Sequence, residues 1–436
     1  MLAFAQSQSG GSSGSAQEYG GPSIVSRDKS LIGERGGKLI DFRLYGSVTG
    51  VYDSGLSPVA TDAGGNLVNP GGNYGVEAGF GVIGTKTWRR DSLAIEYHGT
   101  YRHYTSTSSF DGTDQFLNLR YGRALTKRIT LDVKETAGTS SLGNGAFTYL
   151  PLTSNDLITV PANELFDNRT YFDQTRAGLI WQKSARLSFA FSGDGYVVRR
   201  RSKALAGLNG YTARADVTYR ISKRQSVTAG YTYTAFDYQR LFGDANMHTA
   251  TLGYNVGLGR VWEFSGSAGA SYVNVRGLQT VQVDPAIVAI IGQATVVANF
   301  NRTLVVPAAD IRLVRRFPRS TLQVIGSTGV SPGNGVYLTS RQNSAGAQYS
   351  FSGLRKWTMG TSATYSELST LGQSLGKYQG YQAGVGATYK LANAVHAEFR
   401  YDYRHYTTQN DVFKKNSNRV SIGLAFSPGE KPLPIW

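Results

Sequence analysis

Residues 378–407 read YQGYQAGVGATYKLANAVHAEFRYDYRHYT, and their parity decides the fold. Tyr381, Ala383, Val385, Ala387, Tyr389 and Leu391 share one parity, whereas Gln382, Gly384, Gly386, Thr388 and Lys390 share the other. Past Ala392-Asn393-Ala394 the pattern resumes, with Val395, Ala397, Phe399, Tyr401 and Tyr403 alternating with His396, Glu398, Arg400, Asp402 and Arg404. Successive side chains of a strand point to opposite faces, so this is a hairpin with one apolar-aromatic wall and one polar-charged wall. The apolar wall runs about ten residues with tyrosines toward both ends, the dimensions of a strand crossing an outer membrane.

Working outward, the same alternation predicts strands near 39–53, 74–88, 92–105, 115–125, 128–139, 171–182, 186–199, 210–221 and 225–238. It continues near 247–258, 261–274, 303–315, 319–330, 337–352, 355–367, 377–391, 394–407 and 418–426. The expected fold is therefore all-β, a closed up-and-down antiparallel transmembrane barrel of about eighteen strands, with sixteen to twenty compatible with the same pattern. Closure removes the unpaired sheet edges that hydrocarbon does not tolerate.

Composition agrees. The 436 residues include 53 glycines, 27 tyrosines and no cysteine, which leaves out disulfide staples and thiolate chemistry together. No segment has the roughly 18 consecutive apolar residues of a membrane helix. The nearest, residues 286–300 (AIVAIIGQATVVANF), is interrupted by Gly292, Gln293 and Thr295. It reads either as an external loop or strand extension, or as a loop folded into the lumen. Met1-Leu2-Ala3-Phe4-Ala5 has the Ala-x-Ala pattern at the end of a secretory signal, so residues 1–5 are expected to be a signal remnant. Residues 6–37 are Gly/Ser-rich without periodicity and are expected to form a flexible periplasmic arm. The barrel is then expected over 38–427, and residues 428–436 as a periplasmic tail. Short connections alternate with long ones, notably 54–73, 140–170 and 275–302, and short periplasmic turns put both termini in the periplasm.

The net charge of +16 is distributed by face. The parity assigns Arg43, Arg102, Arg120, Lys134, Arg176, Arg214, Arg220, Arg312, Arg400, Arg404 and Arg419 to the lumen. Asp41, Glu77, Glu96, Asp132, Asp194, Asp216, Glu263, Asp310, Glu398 and Asp402 join them, leaving the lumen nearly neutral. Pairs two residues apart, Asp41/Arg43, Asp132/Lys134, Arg214/Asp216, Asp310/Arg312 and the run Glu398/Arg400/Asp402/Arg404, are placed to form ladders along an inner wall. The excess sits at the short turns: Arg89, Arg90, Lys127, Arg128, Lys183, Arg186, Lys223, Arg224, Arg260, Arg315, Arg316, Arg319, Arg355, Lys356 and Lys390. That rim suits either anionic lipid head groups or the capture of anionic solutes and polymers at the pore. Arg199-Arg200-Arg201 with Lys203 form a second basic cluster at an external loop.

Motifs for chemistry fall away on context. Gly79-Phe80-Gly81-Val82-Ile83-Gly84 matches GxGxxG but lies inside an alternating strand with no helix to hold a pyrophosphate. Gly10, Ser12 and Gly14 match GxSxG inside the arm rather than on a strand-to-helix elbow. The five histidines have no metal-ligand spacing. His98 and His396 face the lumen near acids, which leaves a hydrolase site assembled across strands as a minor reading. The tyrosines oppose the basic residues in parity, so nucleic-acid stacking is not expected.

The pattern over 38–427 resembles outer-membrane porins, and more narrowly the eighteen-stranded barrels. Those include substrate-selective monomeric porins and exporters of polysaccharides such as alginate. Strand count, turn asymmetry, the aromatic girdle and Phe426 closing the last strand carry the resemblance. It implies a passive channel for small hydrophilic, including anionic, solutes, with no enzyme activity, cofactor or metal. The expected solute-facing groups are Arg102, Arg120, Arg176, Arg214, Arg220, Arg312, Arg400, Arg404, Glu398 and Asp402. The alternatives are a conduit for exopolysaccharide docked to periplasmic envelope machinery through the basic rim, and a non-conducting structural barrel. The nearly neutral lumen departs from the strongly basic pore of an alginate-type exporter.

Overall fold

The alternation becomes paired strands in a computed structural model that describes residues 41–55, 60–61, 67–68, 72–105, 111–140, 169–282, 295–372, 376–408 and 413–426. The expected signal remnant, arm and tail, and nearly all of the 140–170 loop, lie outside these residues. β1 (Asp41–Asp53) is followed by two two-residue strands, β2 (Ala60–Thr61) and β3 (Leu67–Val68), which pair with each other. The wall continues through β4 (Asn73–Thr87), β5 (Asp91–Tyr104), β6 (Gly112–Ala124), β7 (Ile129–Ser140), β8 (Thr170–Gln182) and β9 (Leu187–Arg200). Next come β10 (Gly207–Ser222), β11 (Gln225–Gln239), β12 (Gly243–Leu258), β13 (Trp262–Gln282) and β14 (Thr295–Arg316). β15 (Ser320–Gly333), β16 (Leu338–Phe351), β17 (Trp357–Thr370), β18 (Tyr378–Lys390), β19 (Val395–Thr408) and β20 (Phe413–Phe426) complete it.

Apart from β2 and β3, every strand is antiparallel to its sequence neighbours in one 18-stranded sheet. β1 pairs with β4 on one edge and with β20 on the other, from Gly46↔Phe426 to Asp53↔Arg419, which closes the barrel. Exposure separates the two parities: Tyr381, Ala383 and Val385 are exposed, whereas Gln382, Gly384 and Gly386 are half-buried. The outer face carries Val305 at 70%, Leu252 at 67% and Ile422 at 62% exposure. An apolar surface of that extent is unsuited to water and suited to lipid.

Three of the short turns are closed by hydroxyls. Thr126 Oγ1 accepts from the amides of Arg128 (3.1 Å) and Ile129 (3.0 Å). Ser184 Oγ does the same for Arg186 (3.2 Å) and Leu187 (3.0 Å), and Ser222 Oγ accepts from Arg224 at 3.2 Å. A Ser or Thr two residues before a basic residue thus sets the turn and leaves the base projecting outward from it. The GxGxxG glycines belong to β4, where Gly81 leaves room for the Tyr45 ring: a Cβ there would lie 2.0 Å from it.

Beyond the short β2–β3 pair in the expected 54–73 loop and the earlier starts of β12 and β20, the structure departs most from the expected strands at one hairpin. β13 runs on to Gln282 and β14 starts at Thr295, paired from Gln282↔Thr295 downward. Most of the expected 275–302 loop is therefore a tall hairpin, and Thr295–Phe300 lies in the sheet rather than across the lumen. Val275, Leu278, Val281, Val296 and Val297 supply the strand-forming residues, which the interruptions in 286–300 conceal in the sequence.

β14 and β15, in contrast, pair over only eight positions, from Arg316↔Thr321 to Ala309↔Thr328. Beyond them β14 follows β13, and β15 follows β16 as far as Gly333↔Leu338. Pro307 and Pro332, the only prolines inside described strands, stand on those two diverging stretches. A strand tolerates proline where no neighbour needs its missing N–H.

Candidate functional site

The inner face is a lattice of ion pairs across the wall from β19 through β1 to β10. Arg102, 3% exposed, lies between Glu77 (3.0 Å) and Asp114, and Arg419 reaches the other oxygen of Glu77 at 2.6 Å. Arg404 donates to Asp53 (3.1 Å) and to Ser417 Oγ (3.3 Å), and Ser417 Oγ donates to Asp53 at 3.1 Å. These groups stand on β1, β4, β5, β6, β19 and β20, so they bridge the seam where the first strand meets the last. Arg120 meets Asp132 at 2.7 Å, Arg176 meets Asp194 at 3.4 Å, and Arg214 meets Asp216 at 2.7 Å. Arg400 holds Asp402 through two contacts, 2.5 and 2.7 Å. Arginine suits this task because its planar fork can hold two oxygens at once.

Of the sequence-predicted lumen groups, Arg102, Arg404 and Asp402 are buried in this lattice. Arg120, Arg176, Arg214, Arg220, Arg312, Arg400 and Glu398 are partly exposed. Arg214/Asp216 and Arg400/Asp402 pair within a strand, whereas Asp132 takes Arg120 from the neighbouring strand. Register places Arg120 opposite Lys134, one diagonal step from Asp132, and a long side chain covers that step. His98 stacks on Phe116 with centroids 4.9 Å apart. Among the described residues no three His, Asp or Glu side chains gather as metal ligands.

The opposite half of the lumen holds a feature that alternation does not announce. Inward-facing Tyr196, Val198, Leu208, Phe236, Tyr238, Met247, Val273, Val275, Phe300 and Val306 form one apolar cluster toward the long-loop end. The tip of the β15–β16 hairpin turns inward to meet it. Tyr238 Oη donates to the Pro332 carbonyl at 2.9 Å and lies 2.8 Å from Thr339 Oγ1. The amide of Ala206, in the β9–β10 loop, donates to the Gly335 carbonyl at 3.1 Å, and Arg200 Nε donates to the Ala206 carbonyl at 3.0 Å. Because Tyr238 and Arg200 sit on the inward parity of β11 and β9, the tip lies on the lumen side and narrows the mouth. Gly333 and Gly335 adopt φ of +82° and +93°, and Asn334 Oδ1 accepts from the amides of Val336 (3.3 Å) and Tyr337 (3.1 Å). On the tip's other side Tyr337 meets Tyr378 edge-on and Tyr378 stacks on Tyr406, with centroids 6.0 Å apart in each pair. The turn-rich run Ser331-Pro332-Gly333-Asn334-Gly335 was the available sequence signal.

Arg89, Arg90, Lys127, Arg128, Lys223, Arg224, Arg319, Arg355 and Lys356 are exposed on short turns, and Arg316 at the end of β14 pairs with Glu263 at 2.9 Å.

No family model and no curated protein matches the chain. Among solved structures it is similar to Pseudomonas aeruginosa OccK2 (OpdF), at 13% identity and a TM-score of 0.45, over 89% of this chain and 98% of that one. The outer membrane protein opdK of the same organism is 11% identical with a TM-score of 0.44, over 89% and 99%. Acinetobacter baumannii OccAB1 is 11% identical with a TM-score of 0.42, over 89% and 96%.

Proposed function

We propose that the protein is a passive outer-membrane channel for small hydrophilic solutes, anionic ones included, with its short turns and termini on the periplasmic side. One observation carries the reading: a closed barrel, apolar outside, has an inner wall of arginines and carboxylates beneath a mouth narrowed by one inward hairpin. Ion-paired walls offer a solute oxygens and N–H groups in place of its water. Arg220 and Arg312, partly exposed on the inner face near the short-turn end, add cations along the route. A carboxylate-bearing solute would exchange contacts with successive arginines without any covalent step.

Planar-bilayer recording tests this. Discrete single-channel steps with a reversal potential favouring anions are expected. A silent wild type would overturn the channel reading and favour a barrel sealed by the β15–β16 tip and the apolar cluster beside it.

A further inference from the structure

The eight short turns, residues 88–90, 125–128, 183–186, 223–224, 259–261, 317–319, 352–356 and 391–394, contain twelve Arg or Lys and no Asp or Glu. Seven of the eight carry at least one base, so the charge encircles the barrel instead of forming a patch on one side. Four of the five tryptophans, Trp88, Trp181, Trp262 and Trp357, stand beside the same turns. Trp88, Trp181 and Trp357 are 38–48% exposed on the outer face.

The two sets touch. The Arg315 guanidinium lies 4.8 Å from the Trp262 ring and 4.3 Å from Phe317. Lys356 stands 5.8 Å over Tyr389, and Lys86 stands 6.0 Å over Trp88. Indole and phenol rings settle at the level of lipid head groups, so bases packed on them are held at the height of the phosphates. Arg315 and Lys86 share the outer parity of the exposed Ile311 and Phe80, whereas a funnel for solutes would require inner positions. A docked protein would need one side of the rim, not its whole circumference.

We infer that this rim is a binding surface for anionic phospholipid head groups, which it selects around the barrel from the leaflet in contact with the short turns. Bases near a lipid surface attract anionic lipid, and rings beneath the cations hold them in place. The surface thereby fixes the depth of the barrel in the membrane, a role separate from conduction.

The tryptophans report it directly. The full chain carrying Trp436→Phe is reconstituted in vesicles of equal phosphatidylglycerol and phosphatidylcholine, with bromine on the acyl chains of one lipid and then of the other. Fluorescence quenching is expected to show a preference for phosphatidylglycerol of at least about threefold, shrinking as salt is raised. Changing Arg89, Arg90, Lys127, Arg128, Lys223, Arg224, Arg355 and Lys356 together to Gln should remove the preference while leaving the heat-resistant folded band on a gel. Equal quenching by both lipids in the parent overturns the inference alone, as does a preference that survives the eight changes. No quenching from either lipid overturns it together with the membrane-spanning reading.

Discussion

The amide of Ala206 donates to the carbonyl of Gly335 at 3.1 Å, joining the β9–β10 loop to the tip of the β15–β16 hairpin across the mouth of the barrel. Strands β10 and β15 are five positions apart around the sheet, so this contact crosses lumen and does not run along the wall. Deleting residues 332–336 should remove the crossing without touching any strand pair below Ser331↔Ser340. The expected result is a rise of about twofold or more in single-channel conductance, since a narrow constriction governs ion flow. Unchanged conductance would mean that the tip does not limit passage.

Tyr238 holds the same tip from another side. Its hydroxyl is bonded to the Pro332 carbonyl and to Thr339. Tyr238→Phe keeps the ring in its apolar cluster and leaves those partners without it, a loss of about 1–3 kcal/mol for buried groups. Because the loss falls on the tip and not on the wall, open-channel current noise should increase while the barrel's resistance to urea falls only by that amount. A quiet open channel would assign the tip's position to its glycines alone.

The wall was legible in the sequence because alternation and lipid contact are one constraint: Tyr381, Ala383 and Val385 must face out if Gln382, Gly384 and Gly386 face in. The ion-pair lattice was legible only within strands. Arg214 finds Asp216 on its own strand, but Arg404 finds Asp53, 351 positions away, only because the last strand closes on the first. Asp53 sits at the end of β1, beside an expected loop, where parity gives little guidance. The inward tip escaped for a different reason. Ser331-Pro332-Gly333-Asn334-Gly335 announces a turn, but the direction in which a turn leans depends on where β14 and β15 part. That divergence is a property of register, marked in the sequence only by Pro307 and Pro332.

Two glycines with similar backbone angles should answer alanine differently. Gly259, φ +69°, turns β12 into β13 with nothing within 4 Å of a would-be Cβ. Gly333, φ +82°, would place its Cβ 1.6 Å from the Tyr337 carbonyl oxygen. Gly259→Ala should cost about 1–2 kcal/mol in urea unfolding and leave conductance alone. Gly333→Ala must rebuild the tip and should change conductance toward that of the deletion. Equal effects on conductance would show that the tip's shape is not set at Gly333.

Arg404 and Arg312 separate holding the barrel closed from reading the solute. Asp53 is fully buried, and Arg404 is its cationic partner, with Ser417 Oγ and the Gly55 amide (2.8 Å) as its neutral donors. Arg404→Ala strands that carboxylate and should cost about 3–5 kcal/mol, read as a lower temperature for the folded-to-unfolded band shift on a gel. Adding Asp53→Asn should recover part of the loss, because the two changes share one interaction. Arg312 is partly exposed on the inner face of β14, and its Nε has no hydrogen-bond partner among the described residues. Arg312→Gln should therefore leave the band shift within about 0.5 kcal/mol of the parent. It should nevertheless move the reversal potential in a salt gradient toward cations, because one positive charge leaves the pore wall. If Arg312→Gln unfolded the barrel while Arg404→Ala shifted only selectivity, the two roles would have to be exchanged.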